Sequence, residues 1–459
     1  MKRHTIIKFI GIFVLISLMT SSCKKWIDPD INVSPNSPSD VTVNLLLPSA
    51  QAGIAYAVGG DLGYASLIWM QQYAGGGNQP LGYDRYSLTQ SDVDNVWKYA
   101  MYAAPMMDLY QIMNKAATEG SPYYAGIAKI LMAYSLGDMT DLFGAIPYSE
   151  AFLGTNSAHF DSQQAIYTTI DGLLTGAITD LAATSSVRTP GSDDLIFGGD
   201  LAKWTATAWA FKARYAIHLS KKNGATSAYA NALTALQNAI ASNAGDCQFS
   251  FGTASNENNP VYQFVQQRPY DIVMGKFFVD TLNNTNDPRL PFFADTTGGG
   301  AVGSAPGQAN ANATLQGPYY ASATSPVVFI SYVEMKFIEA EAKYPTDKAA
   351  AAAAFNAAVK ASVLKVTGAS APAWEALHAS ETAGSITLDK IIMQKYIALF
   401  LQIEVYNDWR RTGIPSLVPA SNGFITSIPR RYPYPTSERL YNANCPSAVI
   451  TDRVWWDVP

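Results

Sequence analysis

Two pairs of carboxylates are the first candidates for chemistry: Asp138 with Asp141, and Glu404 with Asp408. Spacings of three and four place each pair on one helical face. A glycosidase uses two such groups, roughly 5–10 Å apart in a cleft. Asp408, however, is followed closely by Arg410 and Arg411. That setting favours a structural ion-pair network over catalysis. H-E-x-x-H, G-x-S-x-G and P-loop sequences are absent. The chain has four histidines, which leaves little for an imidazole-based metal or nucleophile site. Asn283, Asn284, Asn286 and Asp287 could offer oxygen to calcium. Their spacing does not match an EF-hand loop, and Asn-Asp-Pro is ordinary turn chemistry. No metal and no cofactor is expected.

Binding asks for less than catalysis. The chain contains 26 Tyr, 19 Phe and 9 Trp. A flat aromatic face can stack on the carbon-bearing face of a sugar ring, while amides and charged groups bond its hydroxyls. The irregular stretch Gly75–Ser91 offers Asn78, Gln79, Tyr83, Arg85 and Tyr86. A longer one, Asn256–Ser325, offers Tyr270, Tyr319 and Tyr320. Irregular stretches this long are uncommon in a compact domain unless they have a function. Tyr83, Tyr86, Tyr319 and Tyr320 are expected to form the stacking surface. Trp69 and Trp97 fall in helical patterns and are expected in the core.

The elements that must position these loops are helical. Periodic apolar residues predict helices over Asn44–Val58, Asp61–Ala74, Asp92–Thr118, Ser121–Leu142, Gln163–Ala183, Asp200–Lys221 and Ser227–Asn243. A later set covers Ile330–Tyr344, Thr346–Leu364 and Thr387–Thr412. Pro345 stops one helix and Thr346 is a candidate cap for the next. Helices paired by short turns suggest tetratricopeptide-like hairpins, although no clean 34-residue repeat is present. The fold class expected is all-α dominated, with short strands at most near Ile196–Phe197 or Val327–Phe329.

The N-terminus carries a different signal. Lys2, Arg3 and Lys8 precede an apolar run, Phe9–Met19, too short to span a bilayer. Thr20, Ser21 and Ser22 then lead to Cys23. This reads as a secretory signal over 1–22 and a lipid-modified cysteine at Cys23. A proline-bearing tether reaches residue 40, and 41–459 forms one domain. No later segment reads as transmembrane. Loss of Lys2, Arg3 and Lys8 takes the formal charge from −5 to about −8. A mildly acidic surface argues against nucleic acid. Cys247 and Cys445 could pair or remain buried thiols.

Five stretches, in order, resemble a known family. They are Asn32–Pro38, Asp141–Ala151 (DLFGAIPYSEA), Glu334 with Ala340–Ala342, Tyr406–Gly413 (YNDWRRTG) and Arg430–Glu438 (RRYPYPTSE). Behind a lipoprotein leader, this combination resembles the SusD/RagB-type lipoproteins of Bacteroidetes, in their divergent SusD-like branch. Gln394 with Lys395, and Gln402, depart from the main family. The resemblance implies a scaffold of four tetratricopeptide-like units, with Gly75–Ser91 and the long loop brought onto one face. It also implies a surface-exposed, lipid-anchored outer-membrane protein that caps a TonB-dependent SusC-like transporter and captures oligosaccharides without catalysis. Peptide capture by the same system, a glycoside hydrolase of the envelope, or a purely structural docking solenoid are the alternatives.

Overall fold

The computed structural model describes residues 41–155 and 157–459. Cys23, the leader and the tether lie outside them. In chain order the elements are α1 Val43–Val58, α2 Asp61–Trp69, β1 Tyr73–Gly75 and α3 Asn78–Asp84, then a π-helical stretch Val96–Met106. Next come α4 Met107–Glu119, α5 Pro122–Phe143, α6 Gln163–Leu181, α7 Leu201–His218, α8 Ala225–Leu236 and β2 Cys247–Phe249. The middle holds α9 Pro260–Gln267, β3 Ile272–Met274, α10 Lys276–Asn284, α11 Leu290–Phe293 and β4 Val327–Ile330. The last are α12 Tyr332–Lys343, α13 Lys348–Thr367, α14 Pro372–His378, α15 Leu388–Ala398, α16 Glu404–Thr412 and α17 Thr436–Tyr441.

The helix-dominated expectation holds. Helices adjacent in the chain pack on one another: α4 on α5, α5 on α6, α7 on α8, and α12 on α13. Their starts are fixed by side chains that accept orphan N–H groups. Ser162 caps α6, Asp200 caps α7 and Ser331 caps α12. Asp347, one residue beyond the expected Thr346, caps α13. Small residues set the closest approaches. A Cβ on Gly137 of α5 would lie 2.0 Å from the Tyr215 hydroxyl of α7. By length and composition α13 could cross a membrane. Its Phe355, Ala358 and Val359 are instead buried in a cluster with Val333 and Phe337 of α12.

Two predicted helices are interrupted. Pro105 has no N–H to give the ladder, and around it the chain winds as a π-helix. The helix expected over Thr387–Thr412 breaks between α15 and α16. There the Gln72 side chain inserts into the ladder: its Nε2 donates to the Tyr396 carbonyl at 2.8 Å and its Oε1 accepts from Leu401 N–H at 3.0 Å. Leu401 takes a positive φ of 63° at this break. Strands are few. β1 pairs antiparallel with β3, and β2 with β4. The strand near Val327–Phe329 is present; Ile196–Phe197 lies in a turn. Cys247 and Cys445 are free thiols, the first buried.

The centre of the molecule is ionic. Asp141 of α5, Arg214 and His218 of α7, Glu334 and Glu341 of α12, Lys395 of α15, and Glu404, Asp408, Arg410 and Arg411 of α16 are all buried. Arg214 forks onto Glu334 at 2.7 and 2.5 Å. Arg411 bridges Glu341 and Asp408, and Lys395 lies 2.7 Å from Asp408. Arg410 donates to the Asp141 carbonyl at 2.6 Å. His218 sits between carboxylates: Nε2 is 2.9 Å from Glu404 and Nδ1 3.3 Å from Asp141. Asp141 also accepts from the Tyr167 hydroxyl and the Trp456 indole, at 2.7 and 2.6 Å.

Burial alone would lower the His218 pKa; the Glu404 charge and the bond to Asp141 outweigh it and raise it from 6.5 to about 9. Burial also raises Asp138, to about 7, against the lowering effect of Arg214. The signs follow. Stabilisation from His218 is complete below pH 6.5 and is lost as pH rises through about 9. His218→Gln should therefore destabilise the fold more at pH 6 than at pH 9.5, with a difference of about 3 kcal/mol in denaturant unfolding; equal losses at the two values would contradict the charged state. Stability associated with Asp138 is present below about pH 3.8 and is lost as pH rises through about 7. Asp138→Asn should thus raise the melting temperature by several degrees at pH 8 and change it little near pH 4.

Candidate functional site

The Gly75–Ser91 stretch is built by β1 and by α3. β1 pairs Gly75 with Ile272 of β3, so the two stretches expected to be irregular meet here, although α3 forms in the first and α9, β3, α10 and α11 in the second. The backbone then runs very close to its neighbour. A Cβ on Gly76 would fall 2.0 Å from the Tyr270 carbonyl oxygen, so only glycine fits. Gly76 N–H donates to the Asp271 carbonyl at 2.9 Å. The Asp271 carboxylate accepts from Asn78 and Arg268, each at 2.6 Å. At the other end of α3, Asp84 accepts from Gly75 N–H and Gly307 N–H, at 3.1 and 2.8 Å. Burial raises its pKa to about 7, offset in part by those two bonds.

A cavity of about 110 Å³ opens between α2, α3 and α9. Its lining includes Asp61, Gln79, Tyr83, Asp92, Phe264 and Arg268. Tyr83 is half-buried, and burial followed by the Asp92 charge raises its hydroxyl pKa. Burial likewise raises Asp61, while Arg268 lowers it. The Arg268 guanidinium lies 5.0 Å over the Phe264 ring. Gln79 donates to Asp92 at 2.7 Å, and Asp92 also takes both Thr89 N–H and Thr89 O–H. Both oxygens of Asp92 therefore already accept bonds from the turn and from Gln79. The arrangement suits recognition of a polyhydroxylated ring: an amide, a guanidinium and a carboxylate surround an aromatic edge.

The structure brings Asn78, Gln79, Tyr83 and Tyr270 to this region. Tyr270 is 58 % exposed beside Gly76. Arg85 turns away and donates to the Gly307 carbonyl at 3.0 Å. The stacking surface expected from Tyr83, Tyr86, Tyr319 and Tyr320 is not formed as a unit. Tyr86 is buried, with a positive φ of 66°, and its hydroxyl accepts from Ala420 N–H. Tyr320 is buried against Phe293 and Phe400, and Tyr319 is half-buried edge-on to it. Tight packing removes these ring faces from solvent.

Sequence reasoning missed Asp61, Asp92 and Arg268. The last was accessible: Arg268-Pro269-Tyr270-Asp271 concentrates recognition residues beside the exposed Tyr270. Trp69 and Trp97 are core residues, as expected. Asp138, Asp141, Glu404 and Asp408 lie in the ionic centre. Asp287 accepts from the Arg289 guanidinium at 2.9 and 2.6 Å.

Larger openings are also present among the described residues. One, of about 430 Å³, lies along α6–α8 by Tyr167, Trp209 and Tyr215. Another, of about 650 Å³, lies between Trp97, Tyr102 and Tyr441. We favour the smaller cavity because α3 and the turns beside it, between β1 and the π-helical stretch, supply much of its lining and its polar groups converge on one volume.

Comparison with known proteins agrees with this fold. The SusD-like family model, described as starch-binding and associating with the outer membrane, matches residues 35–435. A SusD/RagB family protein from Bacteroides thetaiotaomicron superposes with a TM-score of 0.76 at 22% identity, over 91% of this chain and 99% of its own. A chitin-binding SusD homolog from Flavobacterium johnsoniae gives 0.75 at 22% identity, over 91% and 97%. A further chitin-binding protein gives 0.76 at 24% identity, over 91% and 100%. No curated protein sequence matches the chain. With a match that runs through scaffold and loops alike, the chain belongs to the SusD-like family.

Proposed function

We propose that this protein is a cell-surface lipoprotein, anchored through Cys23, that binds oligosaccharides without cleaving them. It delivers them to a partner SusC-like TonB-dependent transporter in the outer membrane. The observation that carries the binding step is the cavity of Tyr83, Gln79, Asp61 and Arg268, one wall of which is α3, a short helix pinned at both ends. Two chitin-binding relatives make β-linked amino-sugar oligomers the first ligands to try, with starch fragments second.

No catalytic step is proposed. The spaced carboxylate pairs are buried among cations, and His218, flanked by two carboxylates, is held as an imidazolium that cannot act as a base. Asp92 is committed to its own turn.

Calorimetry with chitohexaose, maltohexaose and a peptide panel tests this reading. Tyr83→Ala should weaken binding of the preferred glycan about three- to tenfold, the range for one aromatic contact. Arg268→Ala should weaken it by a similar factor or more, because a charged donor is removed. Unchanged affinity in both variants, or tighter binding of peptides, would contradict the assignment; release of shortened sugars would restore the hydrolase.

A further inference from the structure

The C-terminal stretch Gly413–Pro429 contains no helix or strand. Stretches of this length without regular structure are uncommon in compact domains and usually serve a function. This one is not loose. Gln71 donates to the Val418 carbonyl at 2.7 Å, and Ala420 N–H donates to the Tyr86 hydroxyl at 2.8 Å. Gln308 reaches Ser421 at 3.3 Å, and Asn422 donates to the Gly307 carbonyl at 2.9 Å. Finally, Phe424 N–H donates to the Arg85 carbonyl at 2.8 Å.

The packing at these points is close. A Cβ on Gly307, whose φ is +73°, would fall 2.1 Å from Asn422 Oδ1. A Cβ on Gly423 would lie 2.8 Å from the Tyr86 ring. This accounts for the burial of Tyr86: its ring and hydroxyl hold the loop.

What the loop holds outward is Phe424, 74 % exposed. A lone exposed apolar side chain is unremarkable by itself. Here the loop that carries it is held at five points, three through its own backbone at Val418, Ala420 and Phe424 and two through the Ser421 and Asn422 side chains. An aromatic side chain on a loop whose backbone is already tied down, with the Gln308 and Asn422 amides, the Ser421 hydroxyl and Arg85 on the segments it is tied to, suits a sugar ring, because the loop itself need not be ordered on binding. Tyr83 and Arg85 lie two residues apart, with Tyr83 lining the cavity and Arg85 bonded toward this loop.

We propose that Phe424 is the stacking platform of a second glycan subsite, with Arg85, Gln308 and Asn422 bonding ring hydroxyls, and that one oligosaccharide chain engages both it and the Tyr83 cavity. The inference rests on the reading of the Tyr83 cavity as the first glycan subsite. It predicts that the protein selects chains over single sugar units.

Calorimetry with chitobiose and chitohexaose on the wild type, Phe424→Ala, Phe424→Trp and Tyr83→Ala tests it. Phe424→Ala should lose about three- to tenfold in chitohexaose affinity, leave chitobiose affinity unchanged, and keep the wild-type melting temperature. Phe424→Trp should restore hexaose binding, and Tyr83→Ala should weaken both ligands. Unchanged hexaose affinity in Phe424→Ala, with a loss in Tyr83→Ala, would overturn the second subsite and leave the first. Absence of chitohexaose binding to the wild type would overturn both.

Discussion

A charged imidazole held between two buried carboxylates organises this molecule. His218 joins Asp141 of α5 to Glu404 of α16, and the surrounding pairs extend the contact to α12 and α15. With His218 charged, five cations (Arg214, His218, Lys395, Arg410, Arg411) sit among five carboxylates (Asp141, Glu334, Glu341, Glu404, Asp408), with the Asp138 carboxyl beside them. Buried ion pairs add little stability on balance, since desolvation costs about as much as the attraction gains. Breaking one is expensive, because the abandoned charge stays buried. A helix that shifted by one turn would strand several charges at once. The network therefore ties elements that are distant in sequence into one relative arrangement.

The loops inherit that arrangement. Tyr396, one residue from Lys395, gives its carbonyl to Gln72, and Gln72 leads directly into β1 and the Gly75–Ser91 stretch. The Tyr396 hydroxyl also donates to the Met70 carbonyl at 2.8 Å. Asp84 and Asp271 then fix the two ends of α3 by bonds to backbone N–H groups and side chains. A short helix has marginal stability alone. Here it is positioned by side chains that reach across from neighbouring segments, so its polar groups face the cavity without needing to reorganise.

Much of the scaffold was legible because helical periodicity is a local property. The motifs that carried the family resemblance were legible too, and the four within the described residues turn out to be structural. Asp141, Glu334, Glu341, Asp408, Arg410 and Arg411 all belong to the ionic centre. Glu438 of the tail motif accepts from the Trp97 indole, and Ser437 donates to Asp94. They report the fold and not the ligand. The break at Leu401 was not legible, because a glutamine over three hundred residues away causes it. Nor was the difference between Tyr83 and Tyr86. At a spacing of three they would share a helical face. The chain leaves the helix after Asp84, and Tyr86 turns inward under a loop from the other end of the sequence. Asp61 and Arg268 were hidden for the same reason: their cavity exists only when α2, α3 and α9 meet.

The central claim is that a rigid, ion-paired scaffold presents ligand through its irregular connections. Amide hydrogen exchange with and without chitohexaose measures this residue by residue. The account predicts slowed exchange in residues 75–92, 266–275 and 418–425, with α5 to α8 unchanged. Protection in the groove along α6–α8 or in the cleft beside Tyr441, with none in those loops, would contradict it.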